Sequence, residues 1–151
     1  AFACATPFAA LATWAALSLP RREGVALIAL AWLVNQAVGF GLHAYPHDLA
    51  TAAWGLAIGL GAFAAWPAAI GMAQRVRGGA VPSALVALMA AFAAYEAVLY
   101  AATFVLPGGA GAYAPAVLLR LFLINAGALA GLALLQTATA RLVARGRAQV
   151  A

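Results

Sequence analysis

Five long apolar runs, each closed by charge, proline or glycine, leave this chain few ways to fold. They cover about residues 3–19, 24–44, 49–72, 82–106 and 115–140. The first stops at Pro20-Arg21-Arg22-Glu23, the second at Tyr45-Pro46-His47-Asp48 and the third at Arg75-Val76-Arg77-Gly78-Gly79. The fourth opens at Pro82, a residue suited to a first helical turn, and breaks at Pro107-Gly108-Gly109. The fifth starts at Pro115 and is expected to end among Arg141, Arg145 and Arg147. A bilayer crossing takes roughly 20 apolar residues. Lipid satisfies no unpaired amide, so the runs must be helices, and the alternation of a membrane barrel is absent. The expected fold is all-α, a single domain built as a bundle of five transmembrane helices.

Composition agrees. The chain is 68% apolar and 7% charged, whereas a soluble domain is about 45–50% apolar and about 25% charged. Five crossings use up most of its 151 residues. An extramembrane catalytic domain, a nucleotide-binding domain and a DNA reader are thereby excluded. The net charge of +5 has a topological origin. Arg21 and Arg22 lie in the first connection, Arg75 and Arg77 in the third, and Arg141, Arg145 and Arg147 in the tail; the second and fourth connections carry none. Positive residues stay cytoplasmic. The expected topology is therefore an outer N-terminus and a cytoplasmic C-terminus, in a bacterial-type inner membrane, with lipid rather than nucleic acid as the partner. The first run, diluted by Thr6, Pro7, Thr13 and Ser18, is the weakest. Its positive charges follow the apolar stretch instead of preceding it, which marks a crossing and not a signal peptide.

Polar residues inside such helices are costly unless partnered, and so they are informative. The second run carries Asn35 and Gln36; the fourth carries Glu96, with Tyr100 and Thr103 at helical spacing; the fifth carries Arg120, Asn125 and Gln136. Counted from the outer ends of the runs, Asn35, Gln36, Glu96 and Asn125 fall near mid-membrane, and Arg120 about half as deep. Glu96 and Arg120 stand on consecutive helices. They are expected either to pair and fix helix register or to form a ligand or proton site open to the outer face. Asn35, Gln36, Asn125 and Tyr100 are the further site candidates.

The connection His43-Ala44-Tyr45-Pro46-His47-Asp48 offers two imidazoles and a carboxylate, and Cys4 is expected on the same side. Zinc or copper chemistry is open to His43, His47 and Asp48. Pro46 opposes helical geometry through the pair, and the expected reading is no metal, with Tyr45 as interfacial anchor and Asp48 as N-cap of the third helix. No cofactor is expected: the chain lacks a lysine for a retinal Schiff base, a P-loop, a G-x-G-x-x-G motif and a CxxC. Its single cysteine, Cys4, excludes an intramolecular disulfide. Gly55-x-x-x-Gly59 and Gly127-x-x-x-Gly131 are small-residue faces, suited to internal packing or to pairing with another subunit or copy.

Five helices in about 150 residues with an outer N-terminus match the plan of the tryptophan-rich sensory proteins. The Trp- and Pro-rich loop segments of that family are absent, and no family is identified. Small connections and the lack of catalytic sets point first to a non-enzymatic accessory or scaffold subunit of a larger inner-membrane complex. The alternative is a small transporter, channel or ligand-binding protein using the polar layer around Glu96. An enzyme is the least supported class, with Glu96 and the histidine pair as its only acid–base groups. The topology is testable directly. A periplasmic reporter fused after Gly109 and a cytoplasmic reporter fused after Gly79 should both be active; exchange of the two sides refutes the arginine-based orientation.

Overall fold

The computed structural model describes residues 6–150. Its helices are α1 (Phe8–Ser18), α2 (Arg21–Ala37), α3 (Leu49–Ala73), α4 (Ala80–Ala102) and α5 (Pro115–Val150). A π-helical turn, Val38–Leu42, extends α2, and a 3-10 turn, Ala110–Tyr113, precedes α5. No strand occurs among the described residues. The all-α bundle expected from hydropathy is present. Four helices are long and apolar enough to cross a membrane: α2 with its π turn, α3, α4 and α5. The shorter apolar helix is α1, with 11 residues, about 16 Å at 1.5 Å per residue.

The weakest run holds the centre. α1 touches each of the other four helices, and Phe8, Ala9, Ala10, Ala12, Thr13 and Ala15 are buried. The residues that dilute its hydropathy all have partners. Thr13 Oγ1 donates back to the Ala9 carbonyl (2.8 Å), while Trp14 Nε1 and Ser18 Oγ both donate to Gln136 Oε1 on α5 (3.0 and 3.2 Å). Gln136 is thus a tie between helices.

The core is built mainly from alanine. Ala62, Ala65 and Ala69 of α3 meet Ala87, Leu88 and Ala91 of α4 and Ala9 and Ala12 of α1. Spacings of three and four residues keep each set on one helix face. Lipid gives apolar side chains no reason to hide, so close backbone approach and dispersion hold the helices together. Large residues accordingly face outward, as with Leu30, Leu33, Leu60, Leu85, Leu123 and Leu134. Gly55 and Gly59 serve the interior: α2 lays Gln36 over Gly55 and the Trp32 indole over Gly59, and Trp32 Nε1 donates to the Gly55 carbonyl (2.8 Å). A Cβ at Gly59 would stand 2.8 Å from that indole nitrogen. Gly127 and Gly131 meet nothing within 4 Å.

Helix ends depart from run ends for local reasons. α4 stops at Ala102, although Phe104, Val105 and Leu106 continue the apolar run: the N–H groups of Phe104 and Val105 donate to the carbonyls three residues back, Ala101 and Ala102 (3.2 and 3.1 Å), and tighten the last turn. Gly108 and Gly109 then turn the chain at φ of 80° and 87°. α5 instead runs past 140 to Val150. Arginine and alanine are good helix formers, so the charges end the apolar stretch and not the helix. Asp48 is the N-cap of α3, accepting from the Thr51 N–H at 2.7 Å. That bond lowers its carboxyl pKa.

An alanine core makes a directional prediction. Ala65→Leu should destabilise the bundle by about 1–3 kcal/mol through overpacking. Leu60→Ala, on the outward face of the same helix, should change stability by less than about 0.5 kcal/mol. Denaturant unfolding of the two variants in one lipid or detergent system checks the contrast, and equal effects would refute it.

Candidate functional site

The polar residues of α4 and α5 meet around a cavity of about 320 Å³, beside the connection between these two helices. α3 contributes Trp54 and Ile58, and α4 contributes Tyr95, Glu96 and Leu99. The connection adds Gly109, Ala112 and Tyr113. Val117, Arg120, Leu121, Ile124 and Asn125 come from α5 at intervals of three and four, the face that one helix can turn toward a single neighbour. Thr6, just before α1, completes the lining.

Local structure fixes the walls. Trp54 Nε1 donates to the Pro107 carbonyl at 3.0 Å, pinning the start of α3 to the α4–α5 connection. Its ring lies over Gly109, where a Cβ would stand 2.9 Å from indole carbons, and the φ of 87° there also favours glycine. Tyr113 is held by Tyr100, whose ring meets it edge-on at 5.0 Å; Phe104 meets Tyr100 at 5.2 Å. Tyr95 reaches Phe8 of α1 at 5.9 Å.

Asn125 closes the inner end and is only 7% exposed. Its Oδ1 accepts from the Ala10 N–H at 3.0 Å, and its Nδ2 donates to the Leu121 carbonyl at 2.9 Å. α1 has Pro7 in its N-cap position, with no side-chain cap of its own. Ala10 is the third helical residue, whose N–H a capping side chain normally takes. Asn125 is therefore the N-cap of α1, supplied by another helix.

Glu96 is half-buried, and no hydrogen bond to its carboxylate is present among the described residues. Because α4 ends at Ala102, Glu96 lies six residues from the helix end, about 9 Å. Arg120 lies five residues into α5, about 7.5 Å. The two stand at similar depth on the same cavity, with Arg120 the more exposed. The Tyr113 hydroxyl is pushed up to about 12 by burial, by the Glu96 charge and by Tyr100. It stays a neutral donor throughout the physiological range.

The other sequence candidates sit elsewhere. Asn35 Nδ2 donates to Thr6 Oγ1 (2.7 Å), and Gln36 Nε2 donates to Asn35 Oδ1 (3.1 Å), so this pair tethers the residue at the cavity edge and does not line the cavity. Tyr100 is outside it too, acting through Tyr113. His43 and His47 are exposed, the former stacked beside Tyr45 and the latter against Phe40. No group of three or more His, Cys, Asp or Glu occurs among the described residues, and Cys4 lies outside them. Trp54, Tyr95, Tyr113 and Thr6 were not legible as site residues. Tyr113 carried the one available signal, an aromatic alone in a Gly- and Ala-rich connection. Comparison with family models, characterised proteins and solved structures gives no match.

The cap borrowed from α5 generates a local prediction. Asn125→Leu should cost about 1–2 kcal/mol, the usual worth of an N-cap. Hydrogen exchange should accelerate most in the first turn of α1, at Phe8 to Leu11. Uniform acceleration across all five helices would deny Asn125 this role.

Proposed function

We propose that this protein is a multi-pass membrane protein that binds a small amphiphilic ligand in the cavity between α3, α4 and α5. The observation that carries this reading is a single concave space where Glu96, Arg120 and Asn125 converge on otherwise apolar and aromatic walls. Ligand pockets combine those features: volumes from about 300 Å³, mostly apolar lining and a few placed polar groups. With the arginine-rich connections held in the cytoplasm, the cavity opens toward the outer face of the inner membrane. Binding there suits a receptor or the outward half of a transport cycle.

One observation favours a second reading, an accessory subunit of a larger membrane complex. Gly127 and Gly131 leave the α5 face open, and the neighbouring Leu123 and Leu134 are uncovered. A second helix can approach closely over such residues.

A pair of measurements separates the two. Ala112 lines the cavity and is exposed, so Ala112→Trp fills it without touching the core. Small amphiphiles should raise the melting temperature of the wild-type protein in nanodiscs, by about 2.7 kcal/mol of added stability at 100 times Kd. They should leave Ala112→Trp unmoved. If no amphiphile shifts the wild type and mild solubilisation recovers a fixed complex with other subunits, the accessory reading replaces the binding one.

A further inference from the structure

The geometry points to a monovalent organic cation, an ammonium with an apolar body, as the class of ligand that this cavity takes; the inference rests on the binding reading above. Its basis is the arrangement of charge and rings around Glu96. The carboxylate is half-buried and takes no hydrogen bond among the described residues, so its acceptor capacity faces the cavity space. Three aromatic residues from three separate elements share that space: Trp54 from α3, Tyr95 from α4 and Tyr113 from the connection. Aromatic faces attract cations through the ring quadrupole, most strongly where water is excluded. An ammonium beside a carboxylate also removes the cost of holding that charge away from water. Leu99, Leu121 and Ile124 provide for an apolar body.

Arg120 sets the sign of the test. It shares the cavity but is exposed, where water screens its charge more than it screens Glu96. For a cation, Arg120 is a repulsive neighbour, and neutralising it strengthens binding. For an anion it is the anchor, and neutralising it destroys binding. The two ligand classes therefore predict opposite responses to one substitution.

Equilibrium dialysis of the full chain in nanodiscs would use three probes: benzyltrimethylammonium, its neutral tert-butyl isostere neopentylbenzene, and benzoate. The expected order places the cation at least about tenfold tighter than the isostere after correction for partition into empty nanodiscs, with benzoate not bound. Glu96→Gln should abolish the preference for the cation over the isostere. Glu96→Asp should retain part of it, and Arg120→Gln should raise cation affinity. Thermal unfolding of each variant reports folding, and Ala112→Trp, with both charges intact, should bind neither cation nor isostere. Tighter binding of benzoate, lost in Arg120→Gln, overturns the cation assignment while the cavity remains a binding site. Equal binding of cation and isostere, blocked by Ala112→Trp, does the same. Absence of specific binding for all three probes, with Ala112→Trp indistinguishable from wild type, overturns this inference and the binding reading together.

Discussion

A helix that begins inside a bundle leaves amide N–H groups where no water can reach them, and each must find an acceptor. For α1 this is the governing constraint. Pro7 at its N-cap offers no side-chain acceptor, and the N–H of Ala10 is taken by Asn125 from α5. The second bond of Asn125, to the Leu121 carbonyl, holds the carboxamide in one orientation. One side chain thus fixes both where α1 starts and how α5 lies against it. Gln136, three turns further along α5, fixes the other end of the same contact through Trp14 and Ser18. Between these ties α1 presents small residues, and the bundle closes around it.

Close approach then places the large polar side chains. With alanine at Ala62, Ala65, Ala69, Ala87 and Ala91, α3 and α4 pack along most of their length. Glycine at Gly55 and Gly59 admits Gln36 and Trp32 from α2 into the side of α3. Trp54, on the same helix, points to the α4–α5 connection instead and binds the Pro107 carbonyl. The indole nitrogens of Trp14, Trp32 and Trp54 all donate, two of them to backbone carbonyls. In a chain so poor in charge, these three indoles add directional contacts to those of Asn125 and Gln136.

The helices themselves were legible because apolar length is a direct demand of the bilayer. Their ends were less so. Hydropathy measures where lipid contact continues, whereas a helix stops where local hydrogen bonding diverts the backbone. The tightened turn after Ala102 and the two glycines after Pro107 end α4 while the sequence remains apolar; Arg141 and Arg145 end the apolar run while α5 continues. The depth of Glu96 follows from this difference. Measured to Leu106 it is ten residues deep, but measured to the true helix end it is six, level with Arg120. Asn125 and Ala10 are separated by 115 residues, and no local pattern encodes such a pairing. Their types were visible as polar residues in apolar runs; their partners were not.

The same contacts explain why a cavity forms beside the α4–α5 connection. Towards Ser18, α1 fills the space between α3, α4 and α5, with its alanines against theirs and Gln136 bound. Beyond Asn125, α5 faces α3 and α4 with Leu121, Val117 and Arg120, and the α4–α5 connection spans the gap. That connection cannot collapse inward. Trp54 holds Pro107 and covers Gly109, while Tyr100 braces Tyr113 edge-on. Glu96 lines the same space as Trp54 and Tyr113 of this arch. A buried carboxylate is expensive unless something cationic or hydrogen-bonding accompanies it. Arg120 lines the same cavity from α5, so the space that the arch keeps open holds a carboxylate and a guanidinium together and not a carboxylate alone.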